Sequence, residues 1–143
     1  MTLTVSPAGL ELIFSGALLF LIGLFQGVII PKFTNSRMAL SAHLSAVQSG
    51  MALMIFGTIW SLVDLPNAWD TLVKLALILS VYLIWLGITV AAVTGASKAL
   101  PIAGEGYTSS KVSEHFVTAI EAVGVLLSLV SSAGIVVGLV LAF

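Results

Sequence analysis

Few residues in this 143-residue chain can do chemistry, because 8% of it is charged and it has no cysteine. His43 is the foremost of them. An imidazole can bind a metal or move a proton near neutral pH. At 100° per residue, Ala46, Val47, Gly50, Met54 and Gly57 project from the same side of a helix as His43. Such spacing describes an imidazole at the head of a groove floored by small residues. A flat macrocycle could lie there with its iron on His43, since haem iron commonly takes one axial histidine. Ala46, Gly50 and Met54 would then touch the macrocycle. The same small residues also suit close approach by a second helix, with His43 hydrogen-bonded between the two. The lack of cysteine excludes disulfides, thiolate zinc sites, iron–sulfur clusters and cysteine nucleophiles.

Other candidates have two readings each. His115 stands as an interfacial, capping residue or as a second ligand. Glu121 is a proton-handling carboxylate or half of an interhelical pair. Tyr82, Trp85 and Thr89 recur at i, i+3 and i+7, as a pocket for an aromatic substrate or as packing. Gln26 and Gln48 supply two buried amides, of which Gln48 could orient a ligand. Gly104-Glu105-Gly106 is no phosphate loop, because the Walker spacing is absent and no strand precedes it.

The elements that carry these residues follow from hydropathy. The chain is 59% hydrophobic with a mean hydropathy of +1.21, whereas soluble domains carry roughly 25% charged residues. Apolar stretches at 12–30, 38–63, 75–97 and 122–143 each approach the about 20 residues that span a bilayer. The expected fold is all-α, a single domain over 1–143: a four-helix transmembrane bundle with helices near 9–30, 37–63, 71–96 and 111–143. The first stretch is too long and too weakly basic at its start for a signal peptide. Pro31, Pro66 and the segment 95–110 mark the connections, and Trp60 and Trp69 suit a membrane interface. A net charge of −1 excludes a nucleic-acid surface.

Lys32, Arg37, Lys98 and Lys111 fall on the first and third connections and Lys74 on the second. Positive charge marks the cytoplasmic side, so both termini are expected outside the inner membrane. His43, Gln48, Gln26, Thr89, Trp85, His115 and Glu121 then share the cytoplasmic leaflet. Gly9, Gly16 and Gly23, spaced by seven, and Gly124 with Ser128 mark helix–helix contacts.

Around His43 the run Asn35-Ser36-Arg37-Met38-Ala39-Leu40-Ser41-Ala42-His43, with Gly50-Met51 and Trp60, resembles the hydroxylaminobenzene mutase family. Residues 95–104, Gly-Ala-Ser-Lys-Ala-Leu-Pro-Ile-Ala-Gly, resemble it too. A more distant likeness, through Ala42-His43 and Gly50-Met51, is to styrene oxide isomerase. The resemblance implies a small four-helix membrane isomerase converting arylhydroxylamines to ortho-aminophenols. It also implies haem b between the subunits of a homotrimer, with His43 as iron ligand and ferric iron as Lewis acid. Ser49 stands where the epoxide enzyme has asparagine, and Thr89 near its pocket tyrosine; both departures argue against an epoxide substrate. Gln48, Thr89 and Tyr82 are then the candidate orienting groups, and Glu121 or His115 the proton carriers.

Three functions are therefore in view. One is a haem isomerase acting on a small aromatic substrate, hydroxylamine or, alternatively, epoxide. Another is an electron-transfer haem subunit using His43 and His115 together. A third is a cofactor-free structural or transport subunit.

Overall fold

Each long helix begins at a start signal in the sequence. In the computed structural model, which describes residues 4–143, Ser6 caps α1 (Pro7–Val28) by accepting the Gly9 N–H at 3.1 Å. Residues 1–3 of the expected domain lie outside the described residues. Asn35 caps α2 (Ser36–Ile59) through the Met38 N–H at 3.0 Å. Pro66 precedes α3 (Asn67–Thr94), which stops at Gly95, whose φ of 79° is the left-handed conformation that ends helices. A single turn, α4 (Pro101–Gly104), follows, and Ser110 caps α5 (Lys111–Leu141) at Ser113 N–H, 3.1 Å.

The four long helices can each cross a bilayer, and the chain is a multi-pass membrane protein. Their bounds lie within two residues of the expected spans except at two points: α2 stops at Ile59 rather than 63, and α3 starts at Asn67 rather than 71. The first turn of α3 holds Asp70, which accepts the Trp60 indole N–H at 2.9 Å. Trp60, at the end of α2, is buried with that bond, whereas Trp69 is exposed.

The helices pair as two hairpins, α1 with α2 and α3 with α5, joined face to face by α2 and α3. Small residues set the first pairing. A methyl group on Gly50 would lie 2.7 Å from the Gly16 carbonyl, and one on Gly23 2.8 Å from the Ala46 Cβ. Gly9 meets Gly57 in the same way. Without those side chains the backbones approach closely, which is how helices gain contact in lipid. In the second pairing Gly124 receives Ile84, and Gly87 leaves room for the Glu121 carboxylate. Between the hairpins, Met38, Ala39 and Ala42 pack with Ile88, Ala91, Ala92 and Val117.

One end of the bundle is stitched by polar contacts. Fully buried Asn35 donates its side-chain amide to the Ala103 carbonyl at 2.9 Å, and its backbone N–H to Ala92 at 3.0 Å. Thr34 donates to the Val93 carbonyl and Arg37 to that of Glu105. Glu114, itself buried, accepts the N–H groups of Ser97 and Lys98 at 3.0–3.2 Å. At the opposite end Lys74 pairs with Glu11. The two connections richest in Lys and Arg thus form one rigid cap.

Candidate functional site

His43 lies half-exposed in the first half of α2, where α1 crosses it. Its Nδ1 is 2.7 Å from the Gly23 carbonyl of α1. A carbonyl can only accept, so Nδ1 carries the hydrogen, and in the neutral ring Nε2 keeps its lone pair. Nε2 has no hydrogen-bond partner among the described residues. Leu40 and Leu44 on α2, and Leu24 and Val28 next to Gly23 and Gly27 on α1, are exposed apolar residues of the same two helices. An unpaired nitrogen lone pair inside a bilayer has no water to satisfy it. It is arranged as metal-bound histidines are, with the second ring nitrogen donating to a backbone carbonyl.

The small residues expected to floor a macrocycle groove are occupied otherwise. Ala46 is fully buried, Gly50 rests on the Gly16 carbonyl, and Met54 packs beside Gly16. The groove along Ala46, Gly50 and Met54 is filled by α1, because glycine on both helices lets the backbones meet. A planar group on His43 would therefore lie outward from the α1–α2 seam. Among the described residues no three His, Cys, Asp or Glu side chains converge as a metal site. One imidazole alone suits a metal whose other ligands arrive with it, as a porphyrin supplies four. The donor set thus fits haem, although the groove expected for it does not.

The polar residues of this leaflet do not form one pocket. Gln26, 6% exposed, accepts the Trp85 indole N–H at 2.8 Å and donates to Thr89 at 3.1 Å; Thr89 donates to the Trp85 carbonyl. Tyr82 donates to the Ser15 carbonyl at 2.9 Å. The Tyr82–Trp85–Thr89 stripe therefore ties α3 to α1 instead of lining a cavity. Gln48 is exposed and stands 140° around α2 from His43, so one chain cannot place both against the same ligand. With Ser41 and Ser45 it forms a polar stripe away from α1.

Glu121 is 8% exposed, and its Oε1 has no hydrogen-bond partner among the described residues. It packs on Gly87, 200° around α3 from Trp85, so α3 separates it from Gln26 and Thr89. His115 is exposed, with Nδ1 2.7 Å from the Lys111 carbonyl. It stands on α5, which packs on α3, whereas His43 faces α1. A single chain does not bring the two histidines to one iron, contrary to what an electron-transfer site would need. Cavities of about 380 Å³ (Met38, Ser41, Ile88 and α4) and 500 Å³ (Lys98, His115, Thr118 and Ala122 among others) lie toward this end. His43 lines neither.

Sequence reasoning missed two residues. Gly27 lies under the imidazole, and Glu114 clamps the α3–α4 connection. Only a glycine facing a histidine from another helix carries the first signal, and linear spacing does not contain it.

A model of the styrene oxide isomerase family matches residues 9–140 of this chain. The chain belongs to the styrene oxide isomerase family. Its relatives include two proteins of Ectopseudomonas oleovorans. Hydroxylaminobenzene mutase HabA is 39% identical over 105 residues, covering 73% of this chain and 78% of HabA. Hydroxylaminobenzene mutase HabB is 31% identical over 115 residues, covering 80% of this chain and 70% of HabB. No solved structure matches. Membership of the styrene oxide isomerase family makes this chain a membrane isomerase, and its likeness to the mutases covers 73–80% of its length.

Proposed function

We propose that this isomerase rearranges arylhydroxylamines to ortho-aminophenols with haem b held by His43, in a homotrimer of the inner membrane with both termini outside. The observation that carries the proposal is the half-exposed His43 ring, with Nδ1–H committed to the Gly23 carbonyl and Nε2 left without a hydrogen-bond partner among the described residues. The bound haem supplies a Lewis-acid iron for the N–O oxygen of the substrate. The remaining work belongs to the chain. His43 holds the group, the leucines around it exclude water, and the lipid-facing position admits an apolar arene from the bilayer.

Gln48 serves as an orienting group from a neighbouring copy, since its own His43 faces the other way. This is why the site is shared between subunits and why the polar stripe Ser41, Ser45 and Gln48 is not left to lipid. Thr89 and Tyr82 act at one remove, by fixing α1 on α3. The 39% and 31% identity to two hydroxylaminobenzene mutases, together with Ser49 and Thr89, supports the hydroxylamine over an epoxide.

The test is the absorption spectrum of detergent-purified protein beside His43→Ala, followed by turnover of phenylhydroxylamine. A Soret band lost or shifted in the variant, and 2-aminophenol as product, are expected. A colourless parent expressed with ample haem would overturn the haem reading. Conversion of styrene oxide but not phenylhydroxylamine would reassign the substrate.

A further inference from the structure

We infer that Gly27, with the Gly23 carbonyl, forms a seat that sets the ring plane and tautomer of His43, making Gly27 a positioning residue for the ligand nitrogen. The inference rests on the reading of His43 as an iron ligand, and its test separates the two.

The seat is built from the last turns of α1. Gly23 and Gly27 are one helical turn apart, so they stack on the same face of α1. Gly23 offers its carbonyl to Nδ1 at 2.7 Å. Gly27 offers the space beside it. A Cβ at Gly27 would lie 2.8 Å from His43 Nδ1 and 2.9 Å from Cε1, with Cγ next at 3.5 Å. All three nearest atoms belong to the imidazole. This distinguishes Gly27 from Gly9, Gly16 and Gly23, whose absent side chains make room for the α2 backbone or for aliphatic groups. Gly27 makes room for one ring.

The consequences concern the ligand atom directly. A methyl group at Gly27 must push the ring off the seat, because Nδ1 and Cε1 are held by the ring's own rigidity and by α2. Displacement lengthens the bond to the Gly23 carbonyl. Once that bond weakens, the Nδ1–H tautomer loses its advantage, and Nε2 is no longer reserved as the lone-pair nitrogen. A bond from Nδ1–H to a carbonyl also raises the basicity of the opposite nitrogen. Losing it weakens donation to a bound metal.

Gly27→Ala, His43→Ala and the double variant of the full chain test this by a cycle. Gly27→Ala should lower Tm by at least about 3 °C in the parent, and should lower it not at all when His43 is already alanine. In the haem-loaded protein the ferrous iron–histidine stretching frequency should fall in Gly27→Ala. An equal Tm loss in both backgrounds would make Gly27 an ordinary packing glycine and overturn the inference. An unchanged iron–histidine frequency with an uncoupled cycle, in a protein that binds haem through His43, would overturn the seat while leaving the ligand. A colourless protein that still shows the coupling would retain the seat and remove the iron.

Should Gly27→Ala fail to fold, the tautomer remains measurable without it. In ¹⁵N-histidine-labelled His115→Gln protein grown without haem supplement, the single remaining ring should show a protonated Nδ1 and an unprotonated Nε2. The opposite assignment would overturn the seat.

Discussion

At the residue scale, the behaviour of each polar side chain follows from whether its hydrogen-bonding capacity is spent. Gln26 spends both ends, on Trp85 and Thr89, in a part of the bundle that water does not reach. Gln26→Ala leaves the Trp85 indole N–H without an acceptor, and should cost about 1–3 kcal/mol, read as a lower Tm in detergent. Gln26→Ala in a Trp85→Phe background should cost less, since the orphaned donor is gone. Glu121 is the reverse case, a buried carboxyl with one oxygen unpartnered on Gly87. A buried polar group without a hydrogen bond is costly, and an apolar group of similar volume carries no such cost. Glu121→Met should therefore fold with an equal or higher Tm and keep most of its turnover, because α3 stands between it and Gln26. A tenfold loss of turnover in that variant, with Tm preserved, would assign the carboxyl a chemical role.

Among the elements, the capped end of α2 concentrates more interactions than any single span. Asn35 starts α2, bonds the Ala92 carbonyl at the end of α3 and bonds Ala103 in α4, while fully buried. Asn35→Ala removes the N-cap and leaves the Ala103 carbonyl unpaired. Loss of a cap costs about 1 kcal/mol and an unsatisfied buried group about 1–3 kcal/mol more. Thermal unfolding in detergent should show a penalty in that summed range, well above that of Thr34→Ala on the exposed rim. Arg37 and Glu114 bind the same connection from either side, so α4 is held firmly over the 380 Å³ cavity rather than hanging as a loose loop.

For the whole molecule, the decisive feature is that its polar groups point in different directions. His43 lies half-exposed on the bundle surface beside α1, Gln48 faces away from α1, and Glu121 lies behind α3. Amides exposed to hydrocarbon are costly, so the Ser41–Ser45–Gln48 stripe favours association. Gln48→Leu should leave the Tm of the single chain little changed but lower turnover about 5- to 150-fold, since one hydrogen bond to a reacting group is worth roughly 1–3 kcal/mol. Static light scattering in detergent should report a trimer for the parent. A monomer that retains full turnover would sink the shared site.

Much of this architecture was legible in the chain itself. Hydropathy requires the four spans, because a backbone in lipid must satisfy its own hydrogen bonds and helices do so locally. The heptad glycines of α1 are a periodic signal, and Gly9, Gly16 and Gly23 meet α2 as helix–helix contacts, as expected of them. The partners of those glycines were not legible. Whether Gly50 faced a macrocycle or another helix depended on which helix lay across it, a relation between residues 34 positions apart in Gly16 and Gly50. Depth in the membrane follows from rise per residue, so the shared leaflet of His43, Gln48 and Glu121 could be counted along the chain. Azimuth around neighbouring helices could not, because it is set by how small residues let α1, α2, α3 and α5 pack. Tertiary structure alone placed Gly27 under the imidazole and α3 between Glu121 and Gln26.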